Sequence, residues 1–492
     1  MTTVEVEDSL VVEEKNATSR APLRLRNIAI VACVGVVLLV YVRCALSYGK
    51  DINPAQNRSD FHNLVADALL HRQTNLRLDP PEGLLELKDP YDPLANEPYR
   101  KQGINDLSLY KGKLYAFYGP APALLAFIPF RVLRLGDLSP TLASLAFGVA
   151  GFGFSLLLWR RLTRWLFGDL PVWMDCFAVL ALGLALPAPF IIYIGRAYEA
   201  SIACGYFLLF AGLYSLTSGL LSEARARTAL LALGSAALAL AVGARPDMLL
   251  AGLFIAVAFV IVIKRQPQSE RPTSRINEAV AVVAPYVTIG ALLALYNFVR
   301  FDSVTEFGGG YQLSGANSTT YDFYQLWYVP HGLYYYLFAP ARLNATYPYA
   351  FLLRNVPFAQ SKNVYTHEPV AGVLTNMPLI GFGLVLTASQ IPRLARRCRP
   401  ALLVILSALS VAVALVVSVS LTFRSATMRY TLDFAPLLLG AGLLAWAFWS
   451  LERRTRKVGF WLLQSLWLVL LAISVLFNLA ITLTPCQGTG TC

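Results

Sequence analysis

Apolar runs close to the ~20 residues needed to cross a hydrocarbon layer recur along the whole of this 492-residue chain, and nothing else in the sequence restricts its fold as strongly. Inside a bilayer a backbone must satisfy its own N–H and C=O groups, so each run is expected to be a helix. The expected fold class is an all-α polytopic membrane protein with about 11 transmembrane helices and two long outer loops carrying juxtamembrane helices. Composition agrees, because 56 % of residues are hydrophobic and 14 % charged, against roughly one-quarter charged in soluble domains. The formal net charge of +12 would suit nucleic acid. The lysines and arginines, however, cluster at the ends of the apolar runs, which makes the charge a topology signal. No nucleic-acid partner is expected, and without a Walker motif or dinucleotide loop nothing points to an ATP-driven pump.

The spans fall near residues 27–48, 140–159, 172–194, 198–217, 228–244, 248–263, 276–298, 371–391, 400–421, 431–450 and 458–481. The first follows an acidic tail and lacks a cleavage site, so it reads as an uncleaved span. Leu114 to Leu133 is apolar enough to be another, but counting it would put Arg160, Arg161 and Arg164 outside. We therefore read its Gly119-Pro120 and Pro122 stretch as a juxtamembrane or re-entrant part of the first outer loop. Every inner loop is then basic, as the positive-inside rule expects: Arg225 and Arg227, Lys264 to Arg275, Arg393 to Arg399, and Arg453 to Lys457. The resulting plan is a cytoplasmic tail over 1–26, a transmembrane domain over 27–484 with outer loops at 49–139 and 300–370, and an outer tail over 485–492. Cys486 and Cys492 share that tail, where they are candidates for a disulfide. Cys33, Cys44, Cys176 and Cys204 lie in apolar runs as small hydrophobes.

In the first outer loop, Arg58 to Leu76 has helical periodicity, with Phe61, Leu64, Val65, Ala68 and Leu69 on one side. Asp60, Asn63, Asp67 and His71 fall within an arc of about 80° on another. A solvated helix face explains such a pattern by itself, so its setting has to decide. At the outer ends of four spans stand Arg196 with Glu199, Arg245 with Asp247, Arg300 with Asp302, and Arg429 with Tyr430 and Asp433. Charges at this depth are costly, and they tend to face protein or an aqueous cavity. Guanidinium groups bind phosphate bidentately, while a carboxylate takes a proton from a hydroxyl or holds a divalent ion. A lipid phosphate with an outward head group meets both halves. The four histidines, His62, His71, His331 and His367, lie in the outer loops without metal-ligand spacing.

Several segments resemble one family. An inner tail and one span lead to an outer loop that opens on Asp60 in an amphipathic helix. Gly112-Lys113-Leu114-Tyr115, GPAPALL from Gly119, GRAYEA from Gly195, YNFVRFDSVTEFGGGYQL from Tyr296 and RYTLDFAPLL from Arg429 follow in order. This arrangement resembles the C-type (GT-C) membrane glycosyltransferases, and within them the bacterial relatives of protein mannosyltransferases and aminoarabinose transferases. The resemblance implies transfer of a sugar from a polyprenyl-phosphate donor to a glycan, lipid or protein acceptor at the outer, periplasmic face of a cell membrane. By it, Asp60 matches the acidic residue assigned as catalytic base, with Asp67 as fallback. Lys113, Arg196, Arg245, Arg300 and Arg429 match donor-phosphate ligands, and Glu199, Asp247, Glu306, Tyr430 and Asp433 orient them or the sugar.

Many family members pair two acidic residues in the first loop, whereas Asp60 is followed by Phe61 and His62. Metal ligands therefore stay unassigned, and the candidate cofactor is a divalent cation, Mg or Mn. Gly308-Gly309-Gly310 reads as a hinge for a closing loop. The rival reading is a lipid-linked glycan flippase or transporter, which should carry polar residues near mid-membrane; the span centres here are almost free of charge. Asn57, Asn317 and Asn344 begin sequons, which a glycosylating host would modify.

Overall fold

The structure is a computed structural model that describes residues 23–47, 60–117, 119–222, 226–264, 272–315, 317–320, 325–347, 349–351, 366–367, 369–422, 425–452 and 457–484. The expected Cys486–Cys492 pair, the sequon at Asn57 and most of the amino-terminal tail lie outside the described residues. Among those described, ten helices are long and apolar enough to cross a membrane. They are joined by two shorter outer-loop helices and by α10. In chain order they are α1 (Leu23–Ala45), α2 (Phe61–Leu70), α3 (Ala123–Val132), α4 (Pro140–Phe167), α5 (Val172–Ile194), α6 (Ala197–Leu220) and α7 (Arg227–Ala244). The series continues with α8 (Pro246–Lys264), α9 (Pro272–Phe301), α10 (Pro378–Arg397), α11 (Arg399–Thr422), α12 (Thr431–Glu452) and α13 (Lys457–Leu483).

Two expectations about spans are resolved by local chemistry. The run over Leu114–Leu133 divides at Pro120 and Pro122 into a strand and α3, a helix too short to cross a membrane, which leaves this segment out of the membrane-crossing set. The run at 371–391 breaks at Met377, where φ −118° and ψ 71° interrupt the helix, and restarts with Pro378 at the first position of α10. Arg393, Arg396 and Arg397 in its last turns make it less apolar than the ten others.

Burial separates a centre from a lipid-facing periphery. The spanning window of α12 is 89 % buried and that of α9 only 17 %, so α12 forms the axis on which α10 and α11 pack. Arg227 pairs with Glu278 at 3.3 Å and Arg397 with Glu452 at 2.6 Å. Both join residues at the helix ends that the basic loops mark as inner.

At the opposite ends the outer loops are tied to one another. Strands β1 (Leu107–Tyr110) and β2 (Lys113–Ala116) form an antiparallel hairpin whose turn residues, Lys111 and Gly112, both have positive φ, the backbone that suits a two-residue turn. Leu313 of the second outer loop exchanges two 2.8 Å backbone hydrogen bonds with this hairpin, accepting from Asp106 N–H and donating to Leu107 C=O. Short strands β3 (Arg342–Leu343) and β4 (Ala350–Phe351) pair antiparallel, and β5 (Thr366–His367) pairs in parallel with β6 (Ser425–Ala426) just before Arg429.

The Gly308-Gly309-Gly310 run is tied to its surroundings. Glu306 accepts from the N–H groups of Gly308, at 2.5 Å, and Gly310, at 3.4 Å, while Ser108 Oγ donates to Gly308 C=O at 2.8 Å. Gly308 has φ +105°, and a Cβ there would lie 2.6 Å from Ser108 Oγ and 2.9 Å from Phe301. Glycine is required because the chain is anchored in a close approach, and the segment is a fixed clasp between the two outer loops.

Candidate active site

The start of α6 is where the outer elements meet. Gly195, at φ +54°, ends α5, and its carbonyl accepts from Thr141 Oγ1 at 3.0 Å. Glu199 sits one turn into α6 and accepts from the Arg196 N–H at 3.2 Å, satisfying one donor that a helix start leaves open. The other Glu199 oxygen lies 3.5 Å from Arg429 Nη1. Arg429 stands over the Tyr198 ring at 4.9 Å, and Tyr198 OH takes a hydrogen bond from Gln312 of the second outer loop at 3.2 Å. Arg196 itself is exposed.

The first outer loop reaches the same place through α2. Asp60 is the N-cap of that helix and accepts from His62 N–H at 3.0 Å. The His62 side chain is fully buried, with Nε2 at 3.0 Å from the Ala197 carbonyl and 3.1 Å from Ser201 Oγ. Burial holds its imidazole down to about 4, so the ring is neutral and Nε2–H donates to Ala197. Burial acts in the opposite sense on the partly buried Asp60, raising its carboxyl to about 7 against the lowering pull of the His62, Asn63 and Phe61 N–H groups.

The acidic face expected on α2 is therefore divided. Asn63 is buried and donates to Leu138 C=O at 2.9 Å. Asp67, the fallback base, lies 2.8 Å from Arg131 and 3.2 Å from Arg77, so both of its oxygens face guanidinium groups. His62, passed over in the sequence as one of four loop histidines, was legible: three and four residues before Val65 and Ala66, it shares their buried helical face.

Behind α6 the buried arginines pair across the sequence. Arg245 lies 2.9 Å from Asp433 and 3.4 Å from Asp247, with its guanidinium 4.3 Å from the centre of the Tyr430 ring. Arg429 approaches the same ring at 5.8 Å. Glu199, Asp247 and Asp433 thus face Arg245 and Arg429, so these two arginines already have carboxylate partners. Gly119 rests directly on Gly243 beside this group, since a Cβ on Gly119 would lie only 2.1 Å from the Gly243 carbonyl oxygen.

Arg300 differs. It is 1 % exposed and lies over Tyr296 at 4.1 Å and Phe301 at 4.7 Å. It donates to Ala116 C=O at 2.9 Å and to Asn297 Oδ1 at 2.8 Å, both neutral acceptors. Its Nε has no hydrogen-bond partner among the described residues. The neighbouring Asp302 pairs instead with Lys111 at 2.6 Å and Tyr110 OH at 2.8 Å. Lys113 is exposed at the hairpin end and is not gathered into the cluster, and Glu306 serves the glycine clasp.

Among the described residues no group of three or more His, Cys, Asp or Glu is placed to hold a metal ion. Of the carboxylates near the site, Glu199, Asp247 and Asp433 already face guanidinium groups.

No protein-family model matches the chain, and no curated protein matches it. Among solved structures it is similar to ArnT from Cupriavidus metallidurans bound to undecaprenyl phosphate, at 15 % identity and a TM-score of 0.42 over 93 % of this chain and 75 % of that one. The apo state of the same protein gives 14 % identity and a TM-score of 0.43. The archaeal oligosaccharyltransferase AglB from Archaeoglobus fulgidus, in complex with an inhibitory peptide and a dolichol-phosphate, gives 12 % identity and a TM-score of 0.48 over 95 % of this chain, which spans 57 % of that longer protein.

Proposed function

We propose that this chain is an integral membrane glycosyltransferase that moves a sugar from a polyprenyl-phosphate donor to an acceptor hydroxyl at the outer face of a cell membrane. The observation that carries the reading is Asp60, a carboxyl raised to about 7 at the start of a helix that His62 fastens to α6. A general base is most effective when its pKa lies near the working pH. In the reaction, Asp60 takes the proton of the acceptor hydroxyl as that oxygen bonds to the anomeric carbon. The bond from that carbon to the lipid-phosphate oxygen breaks, and the electron pair leaves with the phosphate. Exposed Arg196 and Arg300, whose hydrogen bonds go to neutral acceptors, are the guanidinium groups suited to the charge that develops there.

Asparagine caps a helix about as well as aspartate, so Asp60→Asn removes the base while keeping α2 in place. Transfer from a radiolabelled polyprenyl-phosphate sugar by the purified protein should fall by about 10²–10⁴-fold with the thermal midpoint unchanged. Wild-type turnover in that variant would overturn the assignment. Because the folded carboxyl ionises near 7, the wild-type rate should rise between about pH 6 and 8 and level off above. Mass spectrometry of the copurified lipid separates the rival: a polyprenyl phosphate supports the transferase, and an intact lipid-linked polymer supports the flippase.

A further inference from the structure

On the far side of α2 from His62 lies a second group of charges that the proposed reaction does not use. Asp67 joins Arg77 and Arg131, and Arg131 Nε also donates to Asp137 at 3.0 Å. Two further arginines end the helices on either side. Arg72 follows the last turn of α2 at φ 58°, and Arg134 follows the last turn of α3 at φ 60°. Each helix closes in the same way, with the next residue bonding back across the turn: Gln73 N–H to Ala68 C=O at 3.0 Å, and Leu135 N–H to Phe130 C=O at 3.1 Å. That closure places one residue in left-handed backbone, where glycine is the ordinary choice, and an arginine there carries a steric cost. Twice in one surface, the chain has arginine instead.

The two helix ends and their surroundings carry four arginines and two aspartates, an excess of two positive charges, and Arg72, Arg77 and Arg134 are exposed. Beside them is an uncovered apolar ledge. Among the described residues, Leu133 is 69 % and Val132 62 % exposed, with Leu70, Leu124 and Leu135 also open. A ledge of this kind, rimmed with arginines, fits the boundary where acyl chains meet head groups.

We infer that the α2–α3 ledge is a docking surface for anionic phospholipid of the outer leaflet, with Arg72 and Arg134 holding the head-group phosphate and the leucines seated in the acyl region. The surface is separate from the arginine cluster behind α6, and it does not depend on the proposed transferase activity.

The test uses the full chain in detergent, titrated with phosphatidylglycerol and with phosphatidylcholine and read by native mass spectrometry. At least tenfold preference for phosphatidylglycerol is expected. The Arg72→Gly/Arg134→Gly double variant should abolish that preference while leaving the thermal midpoint equal or higher, because glycine suits both backbones. The corresponding double lysine variant should retain it. If the glycine variant still prefers phosphatidylglycerol, or loses stability, the arginines serve the helix ends and the inference fails. Displacement of the lipid by inorganic phosphate would make this a free-anion site, and equal binding of an acidic soluble peptide would assign the ledge to a protein partner; either result also overturns it.

Discussion

Arg245 and Arg300 are both buried at the outer ends of spans, both lie over aromatic rings, and both sit close to an aspartate in the sequence, yet the fold treats them in opposite ways. Arg245 is held by Asp433 and Asp247. Arg300 hydrogen-bonds to a backbone carbonyl and an amide oxygen, with Glu306 acting on it only through space, and its neighbour Asp302 turns away to the surface. A guanidinium with a carboxylate partner contributes structure and offers little charge to a ligand. One whose hydrogen bonds go to neutral acceptors is less fully compensated, and in a low-dielectric setting it acts more strongly on an anion.

The largest expected effect belongs to the paired site. Arg245→Met strands Asp433, 1 % exposed, and breaking a buried pair in this way costs about 3–5 kcal/mol. Thermal unfolding in detergent should show a large fall, mostly recovered by adding Asp433→Leu. Gly119→Ala comes next, at about 1–3 kcal/mol, because the added methyl meets the Gly243 carbonyl. Arg300→Met leaves only neutral acceptors unpaired and costs about 1–3 kcal/mol, partly offset by packing on Tyr296 and Phe301. Its main effect should be weaker donor binding, by about 10–100-fold for a lost charge-assisted contact, measured by lipid titration. A stability loss in this variant as large as that of Arg245→Met would break the comparison, because it would show the attraction from Glu306 to be as strong as a buried ion pair. The smallest effect is at the surface: Asp302→Asn removes an exposed pair with Lys111 and should leave the midpoint unchanged.

Much of this architecture is legible in the residues. Hydrophobic runs and basic loops locate the helices, and the sorting of Arg160, Arg161 and Arg164 is enough to place Leu114–Leu133 outside the membrane-crossing set. The clusters containing Arg196, Arg245, Arg300 and Arg429 are also visible, because charge is rare near the ends of such runs. Their partners are not. Proximity in sequence suggests Arg300 with Asp302 and Arg429 with Asp433, whereas the fold joins Arg429 to Glu199 and Arg245 to Asp433, 188 residues away. Pairing of this kind depends on which helices become neighbours around α12, and no local pattern encodes that. The acidic face of α2 shows the same limit: helical period places Asp60 and Asp67 on one arc, but only the packing of α3 brings Arg131 to Asp67.

The clasp between the outer loops has a consequence for how the protein is made. Ser108 bonds Gly308 across 200 residues, and six spans lie between α3 and the second loop. At about 5–20 residues per second, the hairpin must wait roughly 10–40 s after synthesis before its partner emerges. During that interval β1 and β2 stand as a two-stranded ribbon, which is marginally stable alone. Completion of the outer face is therefore a late event in biogenesis, and slowing insertion of the intervening spans should lengthen the interval in which that face is open to proteases.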